Sequence, residues 1–289
     1  MSKRAKVDGK EMGLLIGLIA GRYFLKTDEL HYGYWPEGLA VCAENLPRAQ
    51  ANLSHFIISH IPEGTKSVLD VGCGAGNLAR KLVDRGYEVD CISPSPLLAG
   101  YARNKLGNGT RIIECEYERF VPEDCYDLVL FCESFQYVDM NQSILNSLRC
   151  LNEGGHLLIC DFFKTDAKAK SVLSGGHRLS KFYDLAAKYP LDPVLDLDIT
   201  PETAPTMTVV HELLQEVGVP IREMASYFLD NNHPRISRLL KWKYKKKIAK
   251  LDFKYFSGQR NARNFSLSKS YRFLLYRKNT ESSFSQREE

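Results

Sequence analysis

The stretch VLDVGCGAGNL, residues 68–78, constrains the fold more tightly than any other part of this 289-residue chain. A strand-like run enters three glycines at alternate positions, Gly72, Gly74 and Gly76, and leaves as a helical pattern. Glycine lets the backbone turn this sharply and lets a ligand approach without a Cβ in the way. The chain around it keeps the same rhythm. Short apolar runs SVLDV (67–71), YEVDCI (87–92), TRIIE (110–114), YDLVLF (126–131) and GHLLICDFF (155–163) follow one another. Between them, NLARKLVDRG and PLLAGYARNKLG carry apolar residues at helical spacing and stop at glycine. This alternation predicts βαβ units, an α/β fold with a doubly wound, mostly parallel sheet and helices on both faces. TMTVVHELLQEVG (206–218) reads as a further helix, PIREMASYF (220–228) as strand six and SYRFLLYRK (270–278) as strand seven. Residues 1–60 and 233–268 interrupt the pattern. Both are long enough to cover the carboxyl ends of the strands, where open α/β sheets bind ligands.

Composition adds one constraint. Residues 233–263 hold eleven Lys/Arg and one acid, Asp252, a net of +10, whereas the other 258 residues hold 28 Lys/Arg and 34 Asp/Glu, a net of −6. A mildly acidic body thus carries one basic segment. The eight cysteines (42, 73, 91, 115, 125, 132, 150 and 160) form no CxxC pair, and Cys91, Cys132 and Cys160 fall within apolar runs. That points away from a structural zinc site and toward a reducing compartment, so a cytoplasmic protein is expected. The opening MSKRAK and the apolar run Met12–Leu25 imitate a leader, but Asp8, Glu11 and Arg22 interrupt it, and it is too short to span a bilayer. An amphipathic helix is the expectation there, and a frayed tail is expected at ESSFSQREE.

The spacing GxGxG, with Asp70 two residues before the first glycine, differs from the GxGxxG of dinucleotide sites. Ser93 after the second strand and Glu116-Tyr117 after the third fall where a ribose and an adenine would lie. LNEGGHLLI (151–159) places a second glycine turn before strand five. Together these features resemble the class I S-adenosylmethionine-dependent methyltransferases over residues 60–165, with their Rossmann-like seven-stranded sheet and helical cap insertions. The resemblance implies S-adenosyl-L-methionine as cofactor and S-adenosyl-L-homocysteine as product. It implies that Asp70 and the backbone of Gly72, Cys73, Gly74 and Gly76 hold the amino-acid end. Glu116 and Tyr117 would then meet the adenine, and Phe131 and Cys132 would lie beside the sulfonium. The family usually grips both ribose hydroxyls with an acid after strand two, where this chain has Ser93. LHYGYWPEG (30–38) followed by Ala49-Gln50 is similar to the branch holding the tocopherol and sterol methyltransferases and the cyclopropane-forming lipid enzymes. That likeness implies that Tyr32, Tyr34 and Trp35 close over the cofactor, where a ring face attracts a sulfonium. The alternative is an aromatic cluster that packs the N-terminal segment.

The run FCESFQYVD (131–139) ends an apolar strand on a carboxylate, Glu133. The cyclopropane enzymes have an acid–histidine pair where this chain has Gln136-Tyr137, so cyclopropanation is not expected. Methyl transfer draws most of its acceleration from alignment and desolvation, and a base is needed only when the acceptor must lose a proton. The candidate catalytic residues are Glu133, Tyr137 and His177, with Asp161 a further candidate. Glu133 can take a proton, steady a cation or fix its loop. His177 sits in SGGHRL, a Gly-Gly context suited to a mobile lid. Asp196 and Asp198 lack the spacing of a metal site, and no metal is expected.

The expected divisions are residues 1–60 as a helical cap over the cofactor and 61–165 as the cofactor-binding core. Residues 166–268 would form substrate lid elements with strand six and a basic helix, and 269–289 the closing strand and tail. The helical stripe Ile236, Leu239, Leu240, Tyr244, Ile248, Leu251 and Tyr255 is expected to lie on the body, with lysines outward. The expected acceptor is a small molecule methylated on O or N. An isoprenoid or sterol-like C-acceptor is the alternative, its diphosphate held by the 233–263 lysines. A tRNA or rRNA methyltransferase, or an RNA-binding protein, is a further reading kept open by that segment. No transmembrane segment is expected, and a homodimer is compatible.

Overall fold

The computed structural model describes residues 13, 15, 17–19, 21–166 and 173–279; the opening MSKRAK and the tail ESSFSQREE lie outside them. After a wide helical turn at Gly21–Leu25 the chain runs extended to α1 (Leu46–Ser59). There follow β1 (Ser67–Val71), α2 (Asn77–Val83), β2 (Glu88–Ile92), α3 (Pro96–Leu106), β3 (Ile112–Ile113), β4 (Tyr126–Cys132), α4 (Met140–Cys150) and β5 (Leu151–Lys164). The second half comprises α5 (Leu179–Ala186), β6 (Leu191–Asp198), α6 (Thr200–Thr203), α7 (Thr206–Leu213), α8 (Val219–Asn232), α9 (Pro234–Leu251), α10 (Ala262–Ser268) and β7 (Lys269–Lys278).

The seven strands are ordered β3-β2-β1-β4-β5-β7-β6, with β7 antiparallel to both of its neighbours. The expected mostly parallel α/β sheet with seven strands is therefore present. Chain order reverses between β1 and β4, the switch point where open sheets of this kind bind ligands. The central strands are buried on both faces, which is why they read as continuous apolar runs. In β4, Leu128 and Leu130 pack with α1 and α2 on one face, while Val129 and Phe131 pack on the other with residues of α4 and α5. Helix α1 buries Leu46, Ala49, Gln50, Leu53, Ser54, Ile57 and Ile58, the 3–4 spacing of one helical face.

Strand six is not where the sequence placed it. PIREMASYF lies within the helix α8, and its Ile221, Met224 and Phe228 recur at helical spacing. The sixth strand is LDPVLDLD, Leu191–Asp198, at the sheet edge. Its alternating acids and Pro193 disguise it, yet an edge strand tolerates both because one side of it is open to water. The apolar stripe of α9 is a second correction. It does not lie on the body, since α9 buries only Ser237.

Candidate active site

The carboxyl ends of β1, β2 and β4 open into a cavity of about 830 Å³. Its floor is the glycine turn. Gly72 has φ +80°, and a Cβ there would stand 2.5 Å from Cβ of Ser134, so only glycine fits. Ser134 Oγ donates to Val71 O and binds the loop after β4 onto the turn. Asp70, at the end of β1, lines the cavity and is 2% exposed. Its Oδ2 is buried without a hydrogen-bond partner, and burial, opposed by the nearby His31, raises its pKa to about 7. A buried carboxylate oxygen without a donor is costly. A ligand that brings an ammonium or N–H to this point removes that cost.

Cys73, Gly74, Ser93, Glu116, Tyr117 and Cys132 also line the cavity. Ser93 is buried, and its Oγ donates to Ser95 O at 3.3 Å. No acid follows β2 to replace it. Tyr117 turns its ring into the core, edge-on to Phe131, and its hydroxyl meets Ser147 Oγ at 3.0 Å. Phe131 is wholly buried behind the wall and does not line the cavity, nor does Gly76, which with φ +81° starts α2. Burial pushes the Cys132 thiol pKa well up, so it stays neutral.

The wall facing the glycine turn comes from the extended segment before α1. Glu29, Leu30 and His31 line the cavity; Tyr32, Tyr34 and Trp35 do not. The Tyr32 ring is packed among Phe162, Phe265 and Tyr271, with its hydroxyl on Met207 Sδ at 3.1 Å. Tyr34 stacks on Phe56, and the Trp35 indole N–H donates to Thr206 Oγ1 at 3.0 Å. The aromatic stretch thus anchors the segment, and residues just before it face the cavity. Gln50 of α1 holds it in place, accepting from Thr27 Oγ1 at 2.7 Å and donating to His31 O at 2.7 Å. Asn77 Nδ2 donates to Asp28 O at 2.5 Å and ties the segment to α2.

Sequence reasoning missed this polar cluster. His31 Nε2 lies 3.1 Å from Glu29 Oε2, and its Nδ1 lies 2.7 Å from Tyr32 O. Both ring nitrogens face acceptors, so the ring is an imidazolium. Burial opposes that charge, but the Glu29 hydrogen bond and the charges of Glu29 and Glu133 outweigh it and hold the His31 pKa above its usual value. For Glu29, burial is likewise outweighed, by His31 and by Lys81, whose Nζ lies 2.5 Å away, and the pKa falls to about 2. The available signal was the spacing Glu29-x-His31, which puts both side chains on one face of an extended segment.

Glu133 closes the third side. It is one of two non-glycine residues with positive φ (+53°) among those described, and it lines the cavity. Its Oε1 accepts from the Tyr32 N–H at 2.5 Å and from the Tyr271 hydroxyl at 2.8 Å. Burial raises its pKa, opposed by His31 and these two donors. Tyr137 also lines the cavity, half exposed, with a phenol pushed up to about 12 by burial and by the charges of Glu133 and Asp161.

Two other candidates stand away from the cavity wall. Asp161 is buried and accepts from the backbone of Gln136 (2.9 Å) and Phe162 (2.7 Å), fixing the loop that bears Glu133. His177 has its Nε2 at 3.0 Å from Phe135 O and 2.9 Å from Val138 O, so its N–H clamps the same loop from behind. Asp196 pairs with Arg272, and Asp198 accepts from Thr200 N at 3.0 Å. None of residues 233–263 lines the cavity.

Residues 69–159 match the methyltransferase domain family. An uncharacterized methyltransferase of Geobacillus thermodenitrificans is 28% identical over 183 residues, covering 62% of this chain and 85% of that protein. An uncharacterized methyltransferase of Mycobacterium tuberculosis is 30% identical over 97 residues, 34% of this chain and 40% of its own length. Among solved structures, the geranyl diphosphate C-methyltransferase of Streptomyces coelicolor A3(2) superposes with a TM-score of 0.62 at 17% identity, covering 86% of this chain and 87% of that one. Over residues 69–159 the chain is thus similar to methyltransferases, and its seven-stranded fold is that of the class I S-adenosylmethionine-dependent methyltransferases. The unpartnered Asp70 oxygen beside the glycine turn fits the ammonium of S-adenosylmethionine, the methyl donor of enzymes with this fold.

Proposed function

We propose that the enzyme methylates a small-molecule acceptor on oxygen or nitrogen, and that Glu133 takes the acceptor's proton. The observation that carries this reading is the Glu133 carboxylate. One oxygen is pinned by Tyr32 and Tyr271, its pKa is raised by burial, and it borders the same cavity as the cofactor-holding turn. A base whose pKa is lifted toward neutrality suits proton abstraction at physiological pH.

When bound, S-adenosylmethionine supplies an electrophilic methyl group. In this reading Asp70 and the Gly72–Gly74 backbone hold its amino-acid end, and Glu116 and Tyr117 meet the adenine. The His31 imidazolium opposes the upward shift that burial imposes on the Asp70 and Glu133 carboxyls. The buried cluster of Tyr32, Phe162, Phe265 and Tyr271 keeps water from the pinned side of Glu133. Proton transfer then runs from the acceptor's O–H or N–H to the free face of the Glu133 carboxylate.

A second reading is C-methylation of an isoprenoid-like alkene. The same aromatic cluster beside a carboxylate favours it, because rings and an anion together stabilise a carbocation. The 233–263 lysines would play no part as a diphosphate clamp, since none reaches the cavity.

Incubation with methyl-labelled S-adenosylmethionine and a whole-cell extract tests both readings. The first expects label in an O- or N-methyl product, and the second expects it in a C-methyl product. Label recovered only in RNA or protein contradicts both.

A further inference from the structure

The second half of the chain carries a feature that the methyltransferase site does not use. Helix α7, the wide turn Leu214–Gly218 and α8 run as one rod from Thr206 to Asn232. Helix α9, continued by Asp252–Phe256, returns beside it. The two legs are tied by Arg222–Asp252 (2.7 Å) and Lys241–Asp230 (2.6 Å). Ser237 Oγ also donates to Asp230, and Arg222 lies over the Phe256 ring, yet α8 buries no residue and α9 buries only Ser237.

We propose that this hairpin docks the enzyme on an anionic phospholipid bilayer. The outgoing leg bears one unbroken apolar stripe, Leu213, Val217, Ile221, Met224 and Phe228, spaced at 3–4 residues and 46–67% exposed. Its acids Glu212, Glu216, Glu223 and Asp230 cluster on a separate face, centred about a third of a turn from the stripe at 100° per residue. The returning leg, Pro234–Leu251, holds eight Lys/Arg and no acid, interleaved with exposed Ile236, Leu239 and Trp242. Lys243 and Lys247 lie over the Tyr244 ring at 5.6 and 5.7 Å.

Charge and apolar surface together choose the partner. RNA would meet the lysines and rings but leave the aliphatic stripe in water. A second copy packed here would bring two eightfold-basic helices together. Anionic headgroups neutralise the lysines while the stripe enters the boundary between headgroups and acyl chains. Among the described residues no helix is long and apolar enough to cross the membrane, so the contact is interfacial. The inference does not depend on which atom is methylated.

Co-sedimentation of the full chain with phosphatidylcholine vesicles, with and without about 30 mol % phosphatidylglycerol, tests it. Binding to the anionic vesicles is expected to exceed binding to neutral ones by on the order of tenfold, and to weaken between about 0.1 M and about 0.5 M salt. The triple variants I221S/M224S/F228S and K245E/K246E/K247E are each expected to abolish it. Both should keep S-adenosylhomocysteine affinity, because none of these residues lines the cavity. Protein that stays in the supernatant with anionic vesicles overturns the proposal. So does vesicle binding that the two variants retain. A dimer that light scattering shows both variants dissolving, without vesicle binding, assigns the hairpin to a second copy instead. Salt-steep binding of a tRNA without vesicle binding assigns it to RNA.

Discussion

Glu133 holds φ +53°, a conformation that costs a residue with a side chain about 1–3 kcal/mol unless its surroundings impose it. Here they do, through the Glu133 N–H on Cys160 O at 2.9 Å and the pinning of Oε1. The left-handed turn aims the carboxylate back over the ends of β1 and β4 instead of into solvent. Glu133→Gln is expected to lower turnover on the order of 10²-fold while S-adenosylhomocysteine affinity stays within a few-fold. Wild-type turnover should fall with decreasing pH through a carboxyl pKa raised above its ordinary value, and E133Q should lose that limb. Equal turnover in E133Q would return Glu133 to a purely structural role. The Glu29–His31 pair gives a second residue-scale prediction. The folded pKa of His31 lies above its ordinary 6.5, so its contribution to stability is complete below that value and is lost as pH rises through the folded pKa. Glu29 is held at about 2, so its contribution is present above the ordinary carboxylate value and fades only as pH falls toward 2. Calorimetric melting from pH 6 to pH 9 should show a decline in Tm that His31→Gln removes; an unchanged alkaline slope in H31Q would contradict the imidazolium.

The segment before α1 shows how much one element owes to another. Gln50 is 4% exposed and accepts and donates along residues 27–31, so Gln50→Ala leaves several polar groups without partners. The expected result is a loss of about 1–3 kcal/mol in unfolding free energy and a weaker hold on S-adenosylhomocysteine, read by calorimetry. Retained affinity would show that the segment seats itself without α1. The same element marks where the sequence was legible and where it was not. Gly72, Asp70 and the β1–α2 turn were readable because sharp backbone turns and buried strands leave local signatures. The aromatic stretch was visible, but which of its residues face the ligand depends on contacts with α1, α7 and α10 that are remote in sequence. Tyr32, Tyr34 and Trp35 therefore became anchors, while Glu29 and His31 took the wall. His177 and Asp161 likewise lie near the site, but each spends its polar atoms on backbone groups of the 135–138 loop. Strand six was hidden because alternating acids and a proline mark an edge, and PIREMASYF has a composition that suits strand or helix equally.

At the scale of the whole molecule, the sheet and its cavity are separable from the α8–α9 hairpin. The hairpin buries almost nothing against the body, whereas β5 and β7 pair along their length and join the two halves of the chain. Replacing residues 219–251 with a short Gly-Ser linker is therefore expected to leave Tm within a few degrees and S-adenosylhomocysteine affinity unchanged. A collapse of either would mean that the hairpin supports the core. The central claim is that the glycine turn and Asp70 form a site for S-adenosylmethionine, and calorimetric titration with S-adenosylhomocysteine tests it most directly. The expected isotherm saturates at one ligand per chain, weakens as pH falls below about 7, where Asp70 takes up a proton, and is lost or much reduced in Asp70→Asn. The absence of saturable heat from the folded wild-type chain, or an isotherm that Asp70→Asn leaves untouched, would contradict it.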